Sequence, residues 1–315
     1  MVDRVVVVGA SAGGIGPLQT LVAGLSAALP AAVLVVVHLP ALLSRCGPLP
    51  ASPASNGQRL TAGAILVAPP DHHLTVRGKR VRLTRGPREN RQRPAVDPLF
   101  RSAAAAFGPG VVAVVLSGAL DDGAVGAAVV AAQDGAVVVQ DPAEARVSAM
   151  PRAALAAVRR ARRVATADLA AVVTDLVRPA PPVPDGLSQP DPPDRSSTME
   201  DRPTAVTDLG SPTALGCPEC QGGMYESTPD STVSYTCHVG HGWSAQTLLD
   251  AQHQAVEGAI YNAASKLLEI AAVHRRLAEL DSSQPDGRDE HLRAAERAEE
   301  RAQRIQQLAA EDPQP

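Results

Sequence analysis

The stretch Val5-Val6-Val7-Val8-Gly9-Ala10-Ser11-Ala12-Gly13 decides the fold of this chain. A run of β-branched residues that ends in a Gly-x-Ser-x-Gly turn predicts a buried strand leading into a sharp elbow that presents a serine. The glycines let the backbone turn tightly, and a helix expected from Gly16 would direct its N-terminal amides toward Ser11. Ser11 is therefore a candidate nucleophile. The alternative is a turn serine that caps the following helix.

Further Val-rich runs alternate with helical patterns up to about Val177. The strand candidates after Val5–Val8 are Val33–Val37, Ala64–Val67, Val111–Leu116 and Ala136–Val139. The helix candidates are Gly16–Leu29, Pro98–Phe107, Gly123–Asp134, Pro151–Val158 and Asp168–Val177. This alternation predicts an α/β fold with a doubly wound, mostly parallel sheet covered on both faces. Aromatic residues make up only 2% of the chain, so the core is expected to consist of Ala, Val and Leu.

Composition excludes some classes of partner. The formal net charge of −4 argues against nucleic acid as the main partner, and no apolar run approaches the roughly 18 residues that would predict membrane insertion. The basic segment 77–101 is interpreted as a solvated face, with a docking surface for an acidic protein as the alternative. The N-terminus lacks the pattern of a signal peptide, so we expect a cytoplasmic protein.

Composition also divides the chain into four expected segments. Residues 1–177 form the α/β domain, and the Pro- and Asp-rich residues 178–215 are expected to be a disordered linker. Residues 216–243 carry a cysteine-bearing module. Residues 244–312 have apolar positions at helical spacing and predict a helical hairpin or coiled-coil partner surface. The alternative for this tail is that its apolar positions only hold the two helices together.

The cysteine module has the ligand spacing of a zinc site. Cys217-Pro-Glu-Cys220 is followed by Cys237-His-Val-Gly-His241, and four such ligands predict a closed, structural Zn²⁺ site. A module this small has too few apolar residues to fold on its own core, which favours the metal. The alternative is a set of free buried thiols. The fourth cysteine, Cys46, is expected to be inert packing.

A nucleophilic serine needs a base and a carboxylate that orients the base. His38 directly follows the strand candidate Val33–Val37, and Asp121 and Asp122 follow the strand candidate Val111–Leu116. The carboxyl ends of parallel strands meet at one edge of a sheet, so we expect these groups near Ser11. The alternatives are a buried core role for the histidine and an N-cap role for either aspartate at the next helix. The order Ser, His, Asp disfavours the α/β-hydrolase family.

Several motifs in the first half of the chain carry a family resemblance. They are Val-Val-Gly-Ala-Ser-Ala-Gly-Gly at 7–14, the strand ending in His38, Ala-Pro-Pro-Asp-His-His-Leu at 68–74, Arg-Pro-Ala-Val-Asp-Pro-Leu-Phe-Arg-Ser at 93–102, Leu-Ser-Gly-x-x-x-Asp-Gly at 116–123, and Gln-Asp-Pro through Met-Pro-Arg at 140–152. Over residues 1–177 the chain thus resembles the CheB chemotaxis methylesterase domain.

This resemblance implies hydrolysis of glutamate γ-methyl esters on chemoreceptor-type proteins, with no cofactor for catalysis. The family's catalytic residues fall on Ser11, His38 and Asp122, and Asp121 occupies a variable position. The family's Gly-Met-Gly stretch before the aspartate reads Gly118-Ala119-Leu120 here. We expect a standalone enzyme without a receiver domain, whose substrate is a methylated receptor. A sensor kinase or methyltransferase is the expected partner of the C-terminal tail.

Two other functions stay open on sequence grounds. The esterase fold could serve as a non-catalytic adaptor in a chemosensory complex, with the cysteine module and helical tail binding the partner. The same site could instead deamidate receptor glutamine. Labelling by a serine-reactive phosphonate separates the adaptor from both hydrolases, because an adaptor need not activate Ser11.

Overall fold

The computed structural model describes residues 2–37, 45–178, 210–228, 232–280 and 285–310. The chain divides into two compact units, Met1–Leu248 and Leu249–Pro315. None of the helices in the described ranges combines the length and apolarity that crossing a membrane requires. His38 and most of the predicted linker 178–215 lie outside these ranges.

Within the described residues, the α/β part of the first unit contains nine strands and five α-helices. In chain order these are β1 (Val5–Gly9), α1 (Ile15–Gly24), β2 (Ala32–Val36), β3 (Ala51–Pro53), β4 (Ile65–Val67), β5 (His73–Arg77), β6 (Arg80–Thr84), α2 (Val96–Phe107), β7 (Val111–Val115), α3 (Ala124–Ala132), β8 (Ala136–Gln140), α4 (Ala149–Ala157), β9 (Arg162–Val164) and α5 (Leu169–Val177). Strands β5 and β6 form a separate antiparallel hairpin that turns at Gly78.

The other seven strands form one parallel sheet in the order β3-β4-β2-β1-β7-β8-β9. Strand β1 is central, with Gly9 opposite both Val36 of β2 and Val115 of β7. The carboxyl ends of these three strands therefore lie side by side at one edge of the sheet. The segments that follow them carry the candidate site residues.

Alternate residues of β1 enter two separate hydrophobic layers. Val5 and Val7 pack with Leu99 and Phe100 of α2, on the face that α3 and α4 also cover. Val6 and Val8 pack on the opposite face, in the layer formed by α1 and α5. Helices on both faces explain why the strands are continuous apolar runs. The prediction of a doubly wound parallel sheet is confirmed.

The cysteine module forms the remainder of the first unit as a four-stranded antiparallel sheet. Its strands are β10 (Ser211–Gly216), β11 (Gly223–Ser227), β12 (Ser234–Cys237) and β13 (Gly242–Ser244), paired in chain order. Strand β10 pairs with β11 and covers the last residues of the predicted linker 178–215, so regular structure begins before residue 216.

The second unit consists of two helices that pack against each other. Helix α6 (Ala245–Leu280) begins in the first unit and continues into the second, and α7 (Pro285–Ala310) packs on it through small side chains. Ala271 of α6 is buried against Ala295 and Ala298 of α7. Helix α7 begins at Pro285, a residue that suits the first turn of a helix.

Candidate functional site

The elbow after β1 is held by backbone hydrogen bonds. The Ser11 N–H donates to the Ser117 carbonyl oxygen at 3.0 Å, and the Gly14 N–H donates to the Ser11 carbonyl oxygen at 3.0 Å. A Cβ on Gly14 would lie 2.6 Å from the Ser117 carbonyl oxygen, so only glycine permits this close approach. Gly14 is the N-cap of α1, and no side chain caps that helix. Ser11 therefore does not have the capping role that was its alternative interpretation.

Asp122 follows β7 and is held at the N-terminus of α2. Its carboxylate accepts hydrogen bonds from the Val96 N–H at 2.8 Å, the Asp97 N–H at 3.2 Å and the Asn90 Nδ2 at 3.3 Å. An anion at this position is favoured because the first amides of a helix lack partners within the helix. The N-cap of α3 is Gly123, and no side chain caps α3 either.

The neighbouring carboxyl group has a different environment. The Asp121 Oδ1 accepts a 2.6 Å hydrogen bond from the Thr247 hydroxyl group. Asp122 lines a cavity that Ser11 also lines, whereas Asp121 is not among the described lining residues of that cavity. The other lining residues are Ala10, Val36, Asn90, Gln92, Val96, Ala119, Leu120 and Met150. Ser11 and Asp122 are thus brought together, while the placement of His38 stays a prediction because it lies outside the described residues.

Asp97 forms a buried carboxyl pair with Asp122, which the sequence analysis missed. The Asn90 Nδ2 donates to Asp97 Oδ2 at 2.9 Å as well as to Asp122, and the Gly126 N–H donates to Asp97 Oδ1 at 2.6 Å. A carboxylate in the first turn of the otherwise apolar segment Val96–Phe107 was the available signal.

The two carboxyl groups differ in their expected protonation. Burial and the neighbouring Asp122 raise the pKa of Asp97 to about 8. Burial also raises the pKa of Asp122, but only to about 6, because the N–H groups of Val96 and Asp97 and the Asn90 amide stabilise its charged form. Asp97 therefore retains its proton to higher pH than Asp122, and Asp122 is the carboxyl group that ionises more readily, the state that can orient an imidazolium.

Ion pairs within the chain neutralise part of the positive charge of the basic segment 77–101. Lys79 pairs with Asp3 at 2.8 Å, and Arg93 pairs with Asp71 at 2.6 Å. Arg101 binds both carboxylate oxygens of Glu89, at 2.8 and 2.7 Å. These three cations hold loops of the α/β part together, which accounts for some of the local positive charge without an external partner.

The cavity wall contains a strained residue. Leu120 adopts φ = 59°, a left-handed conformation that costs a side-chain-bearing residue about 1–2 kcal/mol. The adjacent Ala119 has no positive φ and is exposed. The strain coincides with the position where the Gly-Met-Gly stretch of the resembled family has its second glycine.

We expect Leu120→Gly to raise the free energy of unfolding by about 0.5 kcal/mol or more, because relief of strain exceeds the added entropy of the unfolded chain. Ala119→Gly is the matched control in the same loop, and it should lower the free energy of unfolding by roughly 0.5–1 kcal/mol. Urea unfolding of both variants measures the difference. Equal destabilisation by the two glycines would show that Leu120 is not strained.

The cysteine module brings its predicted metal ligands together. The ligand atoms of Cys217, Cys220, Cys237 and His241 all lie within 4.8 Å of one another. The Cys220 Sγ–Cys237 Sγ distance is 3.6 Å, and His241 Nδ1 lies 3.7 Å from Cys217 Sγ and 3.4 Å from Cys237 Sγ. Around a tetrahedral zinc ion, neighbouring sulfur and nitrogen ligands lie about 3.5–3.8 Å apart. The donor set and its spacing therefore fit a closed Zn²⁺ site.

Comparisons with known proteins agree with this geometry. A family model described as CheB methylesterase matches residues 6–173. Protein-glutamate methylesterase/protein-glutamine glutaminase 3 of Anaeromyxobacter dehalogenans is 46% identical over 165 residues, which cover 49% of this chain and 48% of the relative. A protein-glutamate methylesterase/protein-glutamine glutaminase of a Nocardioides species is 41% identical over 192 residues, covering 57% of this chain and 50% of the relative.

A solved structure is also similar. The CheB methylesterase catalytic domain of Thermotoga maritima aligns with a TM-score of 0.52 and 28% identity, over 55% of this chain and 98% of that domain. The chain spans about half the length of the curated relatives described above. The similarity thus covers the α/β part, which contains Ser11 and Asp122.

Proposed function

The chain belongs to the CheB methylesterase family, and on that premise we propose that it hydrolyses glutamate γ-methyl esters on a methylated chemoreceptor-type protein. The observation that carries the proposal is the cavity lined by both Ser11 and Asp122, where neither side chain caps the helix that follows it. The test is methanol release from a methylated receptor by the wild-type protein and by Ser11→Ala.

The proposed reaction is acyl transfer through Ser11. The Ser11 Oγ attacks the ester carbonyl carbon while His38 accepts the hydroxyl proton, and Asp122 stabilises the imidazolium that forms. The tetrahedral intermediate expels methoxide, which takes the proton from His38 and leaves as methanol. Water then attacks the acyl-enzyme with His38 as base, and cleavage of the acyl–oxygen bond restores Ser11 and releases glutamate.

Backbone amides beside the cavity are the proposed oxyanion donors, each worth about 3–4 kcal/mol in reactions of this kind. The candidate donors are the backbone N–H groups near Ala12 and in the loop 118–120. The Gly118 N–H donates to the Val147 carbonyl oxygen at 3.0 Å, so it is already committed. We therefore assign the role to the N–H groups of Ala12 and Ala119.

Glutamine deamidation is the second candidate activity. Both relatives compared above carry protein-glutamine glutaminase in their names. The same acyl-enzyme would form from a glutamine side chain, with ammonia leaving in place of methanol. Ammonia release from an unmethylated receptor that retains glutamine at the modified positions would separate the two activities.

We propose that the protein acts in the cytoplasm and that its helical tail binds a sensor kinase or a methyltransferase. Helix α6 buries small residues such as Ala271 against α7. Four of its exposed large apolar side chains follow one another at intervals of seven residues or multiples of seven, namely Leu249, Val256, Ile270 and Leu277. Such an unpartnered stripe supports a contact surface and not merely the packing of two helices.

We also propose that Cys217, Cys220, Cys237 and His241 hold a structural zinc ion. The closed set of four protein ligands leaves no position for substrate, so the ion would stabilise the module and take no part in ester hydrolysis.

The full chain is expected to bind one equivalent of zinc, and Cys237→Ser should retain less than half an equivalent. The effect should be large because zinc binding in small modules supplies about 10 kcal/mol or more of folding free energy. Cys46→Ser is the matched control, since Cys46 is the remaining cysteine of the chain and packs in the α/β part. Metal analysis of the purified proteins measures the outcome, and zinc retained by Cys237→Ser would reject the ligand set.

A further inference from the structure

The loop that carries Asn90 is also the surface on which the cysteine module docks. The Asn90 N–H donates to the Gly242 carbonyl oxygen at 2.9 Å, and the Gly242 N–H donates back to the Arg88 carbonyl oxygen at 3.3 Å. A Cβ on Gly242 would lie 3.0 Å from the Glu89 Cγ, so glycine avoids a tight contact with that side chain. The module thus contacts the α/β part directly beside the residue that binds Asp122.

A second contact from the module sets the orientation of the Asn90 side chain. The Ser244 N–H donates to Asn90 Oδ1 at 3.0 Å, which leaves Asn90 Nδ2 to donate to Asp97 and Asp122. Asn90 is only 3% exposed. If its amide group were reversed, its oxygen would face the two carboxyl groups. The module therefore determines which end of the Asn90 amide reaches Asp122.

A third contact reaches Asp121, the residue that precedes Asp122. Thr247 is fully buried, and its hydroxyl group donates to Asp121 Oδ1 at 2.6 Å. The Thr247 N–H is in turn held by the Ser244 hydroxyl oxygen at 3.1 Å. Ser244 lies three residues after the ligand His241, and Thr247 lies three residues further on. The two residues therefore connect the metal cluster to Asn90 and to Asp121.

We propose that the cysteine module is a positioning element for the esterase site, which acts through Asn90 and Thr247 to hold Asp122 in its working orientation. This inference rests on the proposed function of Ser11 and Asp122. The module supports the site and does not block it, because none of the described residues lining the Ser11 cavity comes from 210–248.

The inference predicts a coupling that can be measured without catalysis. If zinc-dependent folding of the module steadies Asn90, then Asn90 must stabilise the zinc-bound module by the same free energy. Removing the Asn90 side chain should therefore weaken zinc binding, although Asn90 is not a ligand. Trp243 provides an optical signal, since it is the only tryptophan of the chain, is 4% exposed and lies between His241 and Ser244.

The decisive variant is Asn90→Gly. Asn90 has φ = 49°, which glycine adopts without strain, so the substitution removes the side chain without disturbing the backbone. We expect kcat for methanol release to fall about 10- to 100-fold with KM changed less than about 3-fold, and the zinc dissociation constant to rise by a factor of about 10 or more. Trp243 fluorescence should also change when zinc is removed from the wild type.

The pH dependence of kcat distinguishes this positioning role from a general loss of stability, because a loss of stability would not shift the pKa seen in the profile. The Asn90 hydrogen bond lowers the pKa of Asp122, so its removal should shift the acidic limb of the kcat profile to higher pH. Glu89 also faces Asp122 and raises its pKa. Asp97 and Arg101 belong to the same cluster, and all three residues are unchanged in Asn90→Gly.

Three further variants complete the design. Thr247→Val removes the contact with Asp121 and should weaken zinc binding in the same direction, whereas Thr174→Val, in helix α5, should not. Asn56→Gly is the control for the asparagine, because the Asn56 side chain holds the Leu83 N–H in a loop remote from the metal ligands.

Unchanged zinc affinity in both Asn90→Gly and Thr247→Val would overturn the inference, whatever happens to kcat. A rise in kcat when zinc is removed would overturn it as well and would identify the module as an inhibitor. If the wild type releases no methanol while the zinc affinities still shift, the coupling stands and the proposed function fails. The two failures are therefore distinguishable.

Discussion

Ser11→Ala is expected to reduce methanol release from a methylated receptor by at least ~10⁴-fold, because no acyl-enzyme can form without the hydroxyl group. The backbone of the elbow should not change, since Ser11 is held there by its N–H and carbonyl groups and not by its side chain. Methanol production in single turnover measures the effect. Labelling by a serine-reactive phosphonate should be lost in the same variant.

Ser26→Ala is the matched control, because Ser26 lies in an exposed turn after α1 and its hydroxyl oxygen only accepts the Ala28 N–H. Full activity of Ser11→Ala would reject the nucleophile assignment. A wild-type protein that neither releases methanol nor reacts with the phosphonate would instead support the adaptor function.

Asp122→Asn is expected to lower kcat by about 10⁴-fold, because a neutral amide cannot stabilise the imidazolium of the proposed base. The comparison with Asp121→Asn makes the test specific, since the two residues are adjacent and only Asp122 lines the Ser11 cavity. An asparagine at 121 retains an oxygen that can accept the Thr247 hydroxyl group, so the loss there should be less than about 10-fold.

Methanol release by the two variants, each checked by thermal unfolding, decides between the aspartates. A larger loss in Asp121→Asn than in Asp122→Asn would transfer the orienting role to Asp121. It would also show that the hydrogen bonds from Val96 and Asp97 to Asp122 serve stability and not catalysis.

The parts of the fold that the sequence predicted well depend on local pattern. The Val-rich runs lie in the middle of the sheet, where both faces are covered and each strand must be apolar throughout. The two missed strands of the parallel sheet, β3 and β9, are its edges. Their sequences, Ala-Ser-Pro and Arg-Arg-Val, contain no apolar run because an edge strand remains partly exposed.

Helix boundaries were less predictable because they depend on packing between segments that are distant in the sequence. The sequence indicated a helix over Gly16–Leu29, but α1 ends at Gly24. A Cβ on Gly24 would lie 2.6 Å from the Ala170 Cβ, so the glycine is required by the packing of α1 against α5. The end of the helix is thus decided by a neighbour that is distant in the sequence.

The sequence by itself determined the family, the parallel sheet, the elbow at Ser11 and the ligand spacing of the cysteine module. These features follow from backbone geometry and residue periodicity over short segments. Only the tertiary structure decided that Asp97 forms a buried pair with Asp122, that Asn90 bridges them, and that Ser244 and Thr247 contact Asn90 and Asp121. These contacts join three distant parts of the chain, and burial away from water raises the pKa values of both buried carboxyl groups.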